Sequence, residues 1–358
     1  MKKVLVIFLI FLIPISVFAD SGKSTIIMDI DSGRILYKKN VNQKHLIAST
    51  TKIMTCIIVL ENSDIETSIT VGNEVLSIPG TNIYIKNGEV LKIRDLLYGL
   101  MLRSGNDAAT TLAYNTLGYD EFINKMNEKA KEIGMTNTEF SNPHGLDDDT
   151  KNYSTAYDMA LLARYAYNNT VYREIVSTRK YIAKSSLKSY IWYNRMSLLS
   201  NYKYCIGGKN GYTPKAGKSL VSYAKKDNLL LTIVSLDDPS IYENHKNLYN
   251  ESFSKYKNYK IVEKSNISIN GVDYYINNNF NYPLTENETD SVTTLVKINN
   301  NSYSKKVGEM EIFFNKDIIG SIPIYKSKST KKEKSNLLQK FINLFIWYSI
   351  EVNWRSTE

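Results

Sequence analysis

Cysteine and histidine are scarce in this chain, whose 358 residues include two cysteines and three histidines. So little cysteine excludes a disulfide-rich scaffold, and we expect Cys56, which lies in an apolar run, to be a buried thiol. A Cys56–Cys205 disulfide would be compatible with export, but nothing in the pattern requires it. The histidines are far apart and no zinc-ligand spacing occurs, so we expect neither a metal nor a cofactor.

Long apolar segments are also few, and the first lies at the start of the chain. Val4 to Phe18 follows two lysines and ends in the small-residue cleavage pattern Val17-Phe18-Ala19. This run is shorter than the ~20 residues that a membrane span prefers. Residues 1–19 are therefore predicted to be a signal peptide, with the mature chain beginning near Asp20. A first transmembrane helix is the alternative, and in both cases the bulk of the chain is exported.

Acidic residues are outnumbered, with 36 Asp and Glu against 45 Lys and Arg, a formal net charge of +9. The excess of lysine is spread along the chain, and no nucleic-acid-binding motif accompanies it. We therefore expect no nucleic-acid partner. A cationic exterior suits an anionic cell envelope or membrane surface.

The second apolar segment, Leu337 to Ile350, lies near the C-terminus and follows a lysine-rich stretch. Its uncharged core would form a helix only about 15 Å long, half of the ~30 Å hydrocarbon core of a bilayer. Basic residues ahead of Trp- and Phe-bearing turns are typical of a helix that lies in the membrane interface. Residues 326–358 are predicted to be a basic linker and an amphipathic membrane-anchoring helix. A helix packed on the protein itself is the alternative.

The pattern between these two ends predicts an α+β fold. Thr25 to Tyr37 indicates a strand hairpin, and several segments from Lys52 to Tyr167 have helical spacing. Strand patterns return from Tyr204 to Leu236 as an antiparallel meander, and a helix follows. Residues 20–258 are assigned to this first domain. Short alternating segments in residues 259–325 predict a small all-β second domain.

One short segment, Ala48 to Thr55, carries a candidate nucleophile. Ser49 and Lys52 are three residues apart, so on a helix both side chains point into the same small volume. A serine hydroxyl is a weak nucleophile without an adjacent base, and a buried lysine can lose its proton near neutral pH. The spacing alone is weak evidence, because it recurs in this lysine-rich chain, as at Ser177/Lys180 and Ser222/Lys225.

Two further motifs follow in a specific order. Ser104-Gly105-Asn106 comes directly after a predicted helix, and Lys209-Asn210-Gly211 lies on a predicted strand. The order Ser-x-x-Lys, Ser-x-Asn, Lys-Thr-Gly is that of penicillin-binding proteins and class A β-lactamases. From roughly Ser24 to Tyr256 the chain resembles the D-alanyl-D-alanine carboxypeptidases, the low-molecular-mass penicillin-binding proteins of serine peptidase family S11. The resemblance implies a β-lactamase/transpeptidase-like catalytic domain, an antiparallel sheet flanked by helices.

The resemblance also implies an activity, the trimming of the terminal D-alanine from peptidoglycan stem peptides at the extracytoplasmic face of the bacterial membrane. Ser49 would form the acyl-enzyme, and β-lactam antibiotics would acylate the same residue. Lys52 would take the serine proton, Ser104 would relay a proton to the leaving amine, and Asn106 would hold Lys52 and the substrate amide.

The third motif would bind the substrate. Lys209 places positive charge near a substrate carboxylate, Asn210 could donate to it, and Gly211 lets the peptide approach the strand closely. The backbone N–H groups of Ser49 and Tyr212 would form the oxyanion hole. The family usually has Thr at the position of Asn210. It also commonly places an arginine near the end of the following strand to bind the terminal carboxylate. The segment from Leu236 to Lys246 has no arginine and offers only His245 and Lys246.

Three other functions fit parts of this pattern. A β-lactamase would share the nucleophile and base, but the loop from Asn142 to Asp149 lacks the glutamate that such enzymes use for deacylation. A D,D-endopeptidase of the same family is chemically close. A wall-binding protein weakened in catalysis by Asn210 is the third alternative.

Overall fold

The computed structural model describes residues 20–147, 151–299 and 305–326, together with the backbone of residues 349–352. Within these residues, helices and antiparallel sheets are combined, which confirms the predicted α+β class. The helices are α1 (Lys52–Asn62), α2 (Ile93–Arg103), α3 (Asn106–Thr116), α4 (Tyr119–Glu132), α5 (Ala156–Tyr167), α6 (Thr170–Ser177), α7 (Ser197–Asn201) and α8 (Ile241–Lys255).

The strands fall into two groups along the chain. The first group is β1 (Ser24–Asp29), β2 (Ile35–Lys39), β3 (His45–Leu46), β4 (Ser68–Thr70), β5 (Val90–Lys92), β6 (Tyr153–Ser154), β7 (Lys180–Lys184), β8 (Ser189–Tyr193), β9 (Cys205–Thr213), β10 (Gly217–Lys226) and β11 (Leu229–Leu236). The second group is β12 (Lys257–Val262), β13 (Ser265–Ile269), β14 (Val272–Ile276), β15 (Phe280–Leu284), β16 (Val292–Ile298), β17 (Lys306–Phe314), β18 (Asp317–Lys326) and β19 (Ser349–Val352).

A five-stranded antiparallel sheet in the order β2-β1-β11-β10-β9 forms the centre of the first domain. Helices cover both of its faces, since α5 packs on β1 and β11 on one side and α7 and α8 pack on the other. Every residue of β1 and β11 is buried, and β11 accordingly reads as a nearly continuous apolar run. β9 is an edge strand, so part of its backbone is open to a ligand.

Helix α1 runs through the interior of the helical half of the domain, in contact with α2 to α6. Its first eight residues are all buried, and six of them are apolar, the exceptions being Lys52 and Thr55. A helix that is hydrophobic all round belongs in a core. One consequence is that Lys52, its first residue, is carried into the protein interior.

The hairpin formed by β7 and β8 was not predicted from the sequence. Its inner side chains pack on α2, where the rings of Tyr181 and Tyr98 stack with their centroids 3.6 Å apart. Its outer side chains include Ile182 and Ile191, which lie directly opposite each other and are exposed. Because both faces carry apolar residues, the alternation that marks a half-buried strand is hidden in this segment.

The second group of strands builds a six-stranded sheet in the order β13-β14-β18-β17-β16-β19, together with the β12–β15 pair. A small core of side chains such as Tyr274, Ile298 and Ile324 lies on this sheet. Arg34, in the turn after β1, joins the two regions. Its guanidinium forms an ion pair with Glu288 at 2.5 Å and donates to the Pro283 carbonyl.

Both ends of the chain carried predictions that lie largely outside the described residues. The predicted signal peptide, residues 1–19, is outside them, and so are residues 327–348 and 353–358 of the tail. The predicted C-terminal helix extended to Ile350, and here it is wrong at its end, because Ser349–Val352 form β19 and pair antiparallel with β16. No helix in the described part of the chain is both long and apolar enough to cross a bilayer.

Candidate active site

Ser49 lies in a 3₁₀ turn, Ala48–Thr51, that leads directly into α1. Ala48 has a φ of +46°, a left-handed conformation that is unusual for a residue with a side chain and that occurs where surrounding structure enforces it. Glycines at two positions allow neighbouring backbone segments to come close to the Ser49 turn. A Cβ on Gly211 of β9 would lie 2.7 Å from Ser49 N, and one on Gly145 would clash with the Ala48 carbonyl.

Lys52 is fully buried, and its Nζ makes three close contacts. The nitrogen lies 3.0 Å from Ser49 Oγ, 2.7 Å from Asn106 Oδ1 and 2.6 Å from the His144 carbonyl oxygen. The structure thus places two side chains that the sequence predicted, Ser49 and Asn106, and one backbone carbonyl that it did not, within hydrogen-bond distance of one amine. Burial, and then repulsion from Lys209, holds the pKa of Lys52 well below its usual value, while attraction to Asp107 acts in the opposite direction.

The junction between α2 and α3 supplies the second motif. Ser104 ends α2 in a left-handed conformation with a φ of +63°, and the turn at Gly105 leads into α3. Asn106 is the first residue of α3, and both ends of its amide are engaged. Its Oδ1 accepts from Lys52, and its Nδ2 donates to the Pro79 carbonyl at 2.8 Å. This pairing fixes the orientation of the amide.

Asp107, which the sequence analysis did not select, holds the loop beside Asn106. Its carboxylate accepts the backbone N–H groups of Ile83 at 3.0 Å, Tyr84 at 2.7 Å and Ile85 at 3.3 Å, as well as that of Ala108 in its own helix. The pKa of Asp107 is nevertheless raised, because burial outweighs these hydrogen bonds. Its position directly after the Ser-x-Asn motif is the one signal that could have identified it.

The loop from Asn142 to Asp147 also borders the site, next to the Ser49 turn and the α2–α3 junction. Asn142 Oδ1 accepts the N–H of Gly145 at 2.6 Å, and Asn152 Nδ2 donates both to Asn142 and to Thr51 at the start of α1. This network presents the His144 carbonyl to Lys52. Pro143 and Gly145 exclude a helix here and favour a fixed loop, but a backbone carbonyl carries no residue-specific signal, so the role of the His144 carbonyl was missed.

The same loop is tied to the end of β9. Thr213 donates to Asp147 Oδ2 at 2.5 Å, and Lys215 Nζ donates to the Asp147 carbonyl at 3.1 Å. The carboxylate of Asp147 is therefore occupied by Thr213. Asp148 and Asp149, the other acids of the loop, lie outside the described residues.

The third motif lies on β9, beside Ser49. Lys209 is buried, and its Nζ donates to the Asn210 carbonyl at 2.6 Å. Burial, and then repulsion from Arg195, lowers the pKa of Lys209 to about 7. Asn210 is half-buried, whereas the side chain of Tyr212 is 63% exposed. Gly211 is the point of closest approach to the Ser49 turn.

No arginine follows β11 in the segment from Leu236 to Lys246, and His245 does not take its place. His245 is fully buried against Ser222, whose Oγ lies 2.7 Å from its Nδ1, and burial lowers its pKa to about 3. Lys246 is half-buried on α8 beside Glu243. Among the described residues, no group of three or more His, Cys, Asp or Glu side chains is placed to hold a metal ion.

Comparison with known proteins agrees with this geometry. A family model described as D-alanyl-D-alanine carboxypeptidase, peptidase family S11, matches residues 16–240, which is more than half of the chain. The chain belongs to this family. This carboxypeptidase-family protein is 34% identical over 221 residues to the D-alanyl-D-alanine carboxypeptidase DacF of Bacillus subtilis. That alignment covers 60% of this chain and 57% of DacF, so the chain matches little more than half of that relative's length.

Two solved structures extend the likeness into the second group of strands. The D-alanyl-D-alanine carboxypeptidase DacD of Francisella tularensis is 26% identical, with a TM-score of 0.69 over 91% of this chain and 96% of DacD. Penicillin-binding protein 5 of Haemophilus influenzae has a TM-score of 0.73 over 86% of this chain and 97% of its own, at 23% identity. The second likeness is one of fold.

Proposed function

We propose that this protein is an exported serine-type D-alanyl-D-alanine carboxypeptidase that removes the terminal D-alanine from peptidoglycan stem peptides. One observation carries the proposal. A neutral amine has two N–H groups and one lone pair. Lys52 Nζ has two carbonyl acceptors, Asn106 Oδ1 and the His144 oxygen, and its third neighbour is Ser49 Oγ at 3.0 Å. In the neutral form, the lone pair therefore faces the serine proton.

The reaction follows from that arrangement. As Ser49 Oγ bonds to the carbonyl carbon of the penultimate D-alanine, its proton passes to Lys52 Nζ. The tetrahedral intermediate collapses when the C–N bond breaks, and the leaving amine receives the proton from Lys52 through Ser104. Water then hydrolyses the ester and regenerates Ser49.

Two further groups would stabilise and hold the substrate. The backbone N–H groups of Ser49 and Tyr212 would bind the oxyanion, a contribution of about 3 kcal/mol for each such donor. Gly211 keeps the β9 backbone close to the Ser49 turn, which favours this placement. Lys209 and Asn210 would bind the terminal carboxylate of the peptide, and β-lactams would occupy the same positions.

Intact mass after penicillin treatment tests the nucleophile. The mature chain should gain one penicillin adduct and should release D-alanine from a peptide ending in D-Ala-D-Ala. Ser49→Ala should do neither. Ser177→Ala is a matched control, because Ser177 has the same spacing to Lys180 but lies exposed at the end of α6.

An adduct that persists in Ser49→Ala would refute the assignment. If the adduct forms on the wild-type chain but no D-alanine is released, the wall-binding alternative is supported instead. Asn210→Thr should then raise turnover, and an unchanged rate would show that Asn210 does not limit catalysis.

The location of the protein is part of the proposal. Residues 1–19 would direct export, and residues 326–358 would anchor the protein on the outer surface of the cytoplasmic membrane. Deleting residues 327–358 should shift the protein from the membrane fraction to the soluble fraction while penicillin acylation is retained. Unchanged membrane association would contradict the anchor.

A further inference from the structure

The segment from residue 175 to residue 226 contains no aspartate or glutamate. Its basic residues are Arg179, Lys180, Lys184, Lys188, Arg195, Lys203, Lys209, Lys215, Lys218, Lys225 and Lys226. Since the whole chain has nearly as many acidic as basic residues, this segment holds a disproportionate share of the net positive charge. The segment begins in the last turn of α6, and the β7–β8 hairpin is the first element that lies wholly within it.

The outer side of this hairpin combines lysines with exposed apolar side chains. We define the hairpin face by Lys180, Ile182, Lys184, Ile191 and Tyr193. Ile182 lies opposite Ile191, and Lys180 lies opposite Tyr193. Ile182 is 56% exposed, and Ile191 and Tyr193 are each 57% exposed. Large apolar side chains that are paired on an open strand surface raise the free energy of the protein in water unless something covers them.

The turn of the hairpin continues the same composition. Leu187 is 59% exposed, and Lys188 follows it. Four of the ten most exposed large apolar residues in the described chain therefore belong to this one hairpin. Such a concentration differs from the isolated exposed apolar residues that are normal on any protein surface.

The underside of the hairpin holds it rigidly in this orientation. Tyr181 donates to Asp95 at 2.6 Å, and Tyr190 donates to Glu89 at 2.9 Å. Ser186, in the turn, exchanges hydrogen bonds with the backbone of Val90. The carboxylates that contact the hairpin thus approach from beneath and are buried, so they do not neutralise the outer side. A shift of the strand register by one residue would bury the lysines, and these hydrogen bonds oppose such a shift.

We propose that the hairpin face docks on an anionic lipid bilayer. Positive charge alone would suit any polyanion, but a dissolved or wall-bound polyanion offers nothing to cover isoleucine and leucine. A bilayer interface accepts the apolar side chains at the level of the headgroups, while the lysines contact lipid phosphates and carboxylates. The hairpin would be a membrane contact separate from the C-terminal tail. It does not depend on turnover at Ser49.

Vesicle binding by the whole mature chain tests the proposal. Dissociation constants are measured by flotation with vesicles of equal parts phosphatidylglycerol and phosphatidylcholine, and with phosphatidylcholine alone. Ile182→Thr/Ile191→Thr should weaken binding to the anionic vesicles about tenfold. Lys180→Gln/Lys184→Gln/Lys188→Gln should weaken it about fivefold for each lysine. The tail is present in every variant, so the ratios isolate the hairpin.

A matched pair of exposed apolar residues provides the control. Val272 and Ile318 lie in the second group of strands and are 44% and 61% exposed, so Val272→Thr/Ile318→Thr should bind like the wild type. Penicillin acylation confirms that the hairpin variants and the Val272→Thr/Ile318→Thr control are folded. Ser49→Ala should bind vesicles normally, which separates this proposal from the catalytic one.

Three results would overturn the proposal. One is wild-type affinity in both hairpin variants, and another is equal binding of the wild type to neutral and anionic vesicles. The third is a loss in the hairpin variants of binding to lipid-free cell walls or of self-association, with vesicle binding retained. That result would assign the face to a wall polymer or to a second copy of the chain.

Discussion

Two glycines allow backbone segments to pack against the turn that carries Ser49. Gly145 has a φ of +89° and lies against the Ala48 carbonyl, while Gly211 lies against the N–H groups of Ser49 and Thr50. Neither contact leaves room for a methyl group. The strained conformation of Ala48 is therefore held from two sides, and the position of Ser49 relative to Lys52 depends on both.

Replacing either glycine by alanine should displace Ser49. We expect Gly211→Ala to slow penicillin acylation about 100-fold, since misplacement by about 1 Å has effects of that size. Gly145→Ala should also reduce the free energy of unfolding by about 3 kcal/mol, through strain and overlap together. Gly118→Ala is the control, because Gly118 has a similar φ of +85° but no atom within 4 Å of its added Cβ. Equal effects at Gly118 and Gly145 would contradict the contact argument.

The charge of Lys209 should set the alkaline limit of activity. Its pKa is lowered to about 7 by burial and by Arg195, so the ammonium that would attract a substrate carboxylate in the proposed function is lost as the pH rises through that value. In the proposed mechanism Lys52 is neutral, so its lowered pKa would set the acidic limit. kcat/KM for a D-Ala-D-Ala peptide should therefore fall above about pH 7. In Lys209→Arg the falling limb should move to higher pH, and an unchanged profile would exclude Lys209 as its source.

At the level of elements, Asp107 connects α3 to the loop that ends at Ile85. One carboxylate satisfies three consecutive backbone N–H groups of that loop, and the same loop supplies the Pro79 carbonyl that orients Asn106. Losing the carboxylate would leave several N–H groups without an acceptor in a buried place, a cost of about 1–3 kcal/mol for each such group.

Asp107→Ala should therefore reduce the free energy of unfolding by about 3 kcal/mol and should slow acylation, because Asn106 loses its support. Asp64→Ala serves as the control. Asp64 also accepts a backbone N–H, from Glu66, but does so at an exposed site, and we expect a change below about 0.5 kcal/mol. Urea unfolding and acylation rates measure both effects. A stable Asp107→Ala with normal acylation would show that the loop holds itself.

The sequence predicted those elements whose own residues determine them. Leu229–Leu236 was predicted as a strand and is β11, because eight buried residues in a row need a central position in a sheet. The β7–β8 hairpin was missed because Ile182 and Ile191 face outward. In the site, Ser49, Lys52 and Asn106 were selected from their motifs. The His144 carbonyl and the Asp107 carboxylate were not, since backbone groups and long-range capping leave no local pattern.

For the molecule as a whole, Arg34 connects the two regions through several contacts at once. Its guanidinium lies 5.5 Å from the ring centroid of Tyr256, 5.2 Å from that of Tyr282 and 4.6 Å from that of Phe314. It also pairs with Glu288, and its side chain is only 11% exposed. Cation–π contacts that are shielded from water are worth up to about 2 kcal/mol, so this one residue couples the stability of the two regions.

Arg34→Ala should separate their unfolding. In differential scanning calorimetry, the wild type is expected to show one transition and the variant two, with the strands after Tyr256 melting first. Lys260→Ala is the control and should leave the single transition in place. It removes an exposed charge on β12 that is paired with Glu263, which follows the strand. Persistence of one unshifted transition in Arg34→Ala would mean that other contacts hold the regions together.

Both cysteines of the chain are buried and unpaired. Burial raises the pKa of the Cys205 thiol to about 11 and that of Cys56 further still, and thiol reagents attack the thiolate. Maleimide dyes and spin labels should therefore not react with either native cysteine in the folded protein. A cysteine introduced at Ser189 on the hairpin and another at Val272 in the second group of strands would be the groups labelled. The natural sequence thus needs no cysteine removal before distances between these two places are measured on membranes.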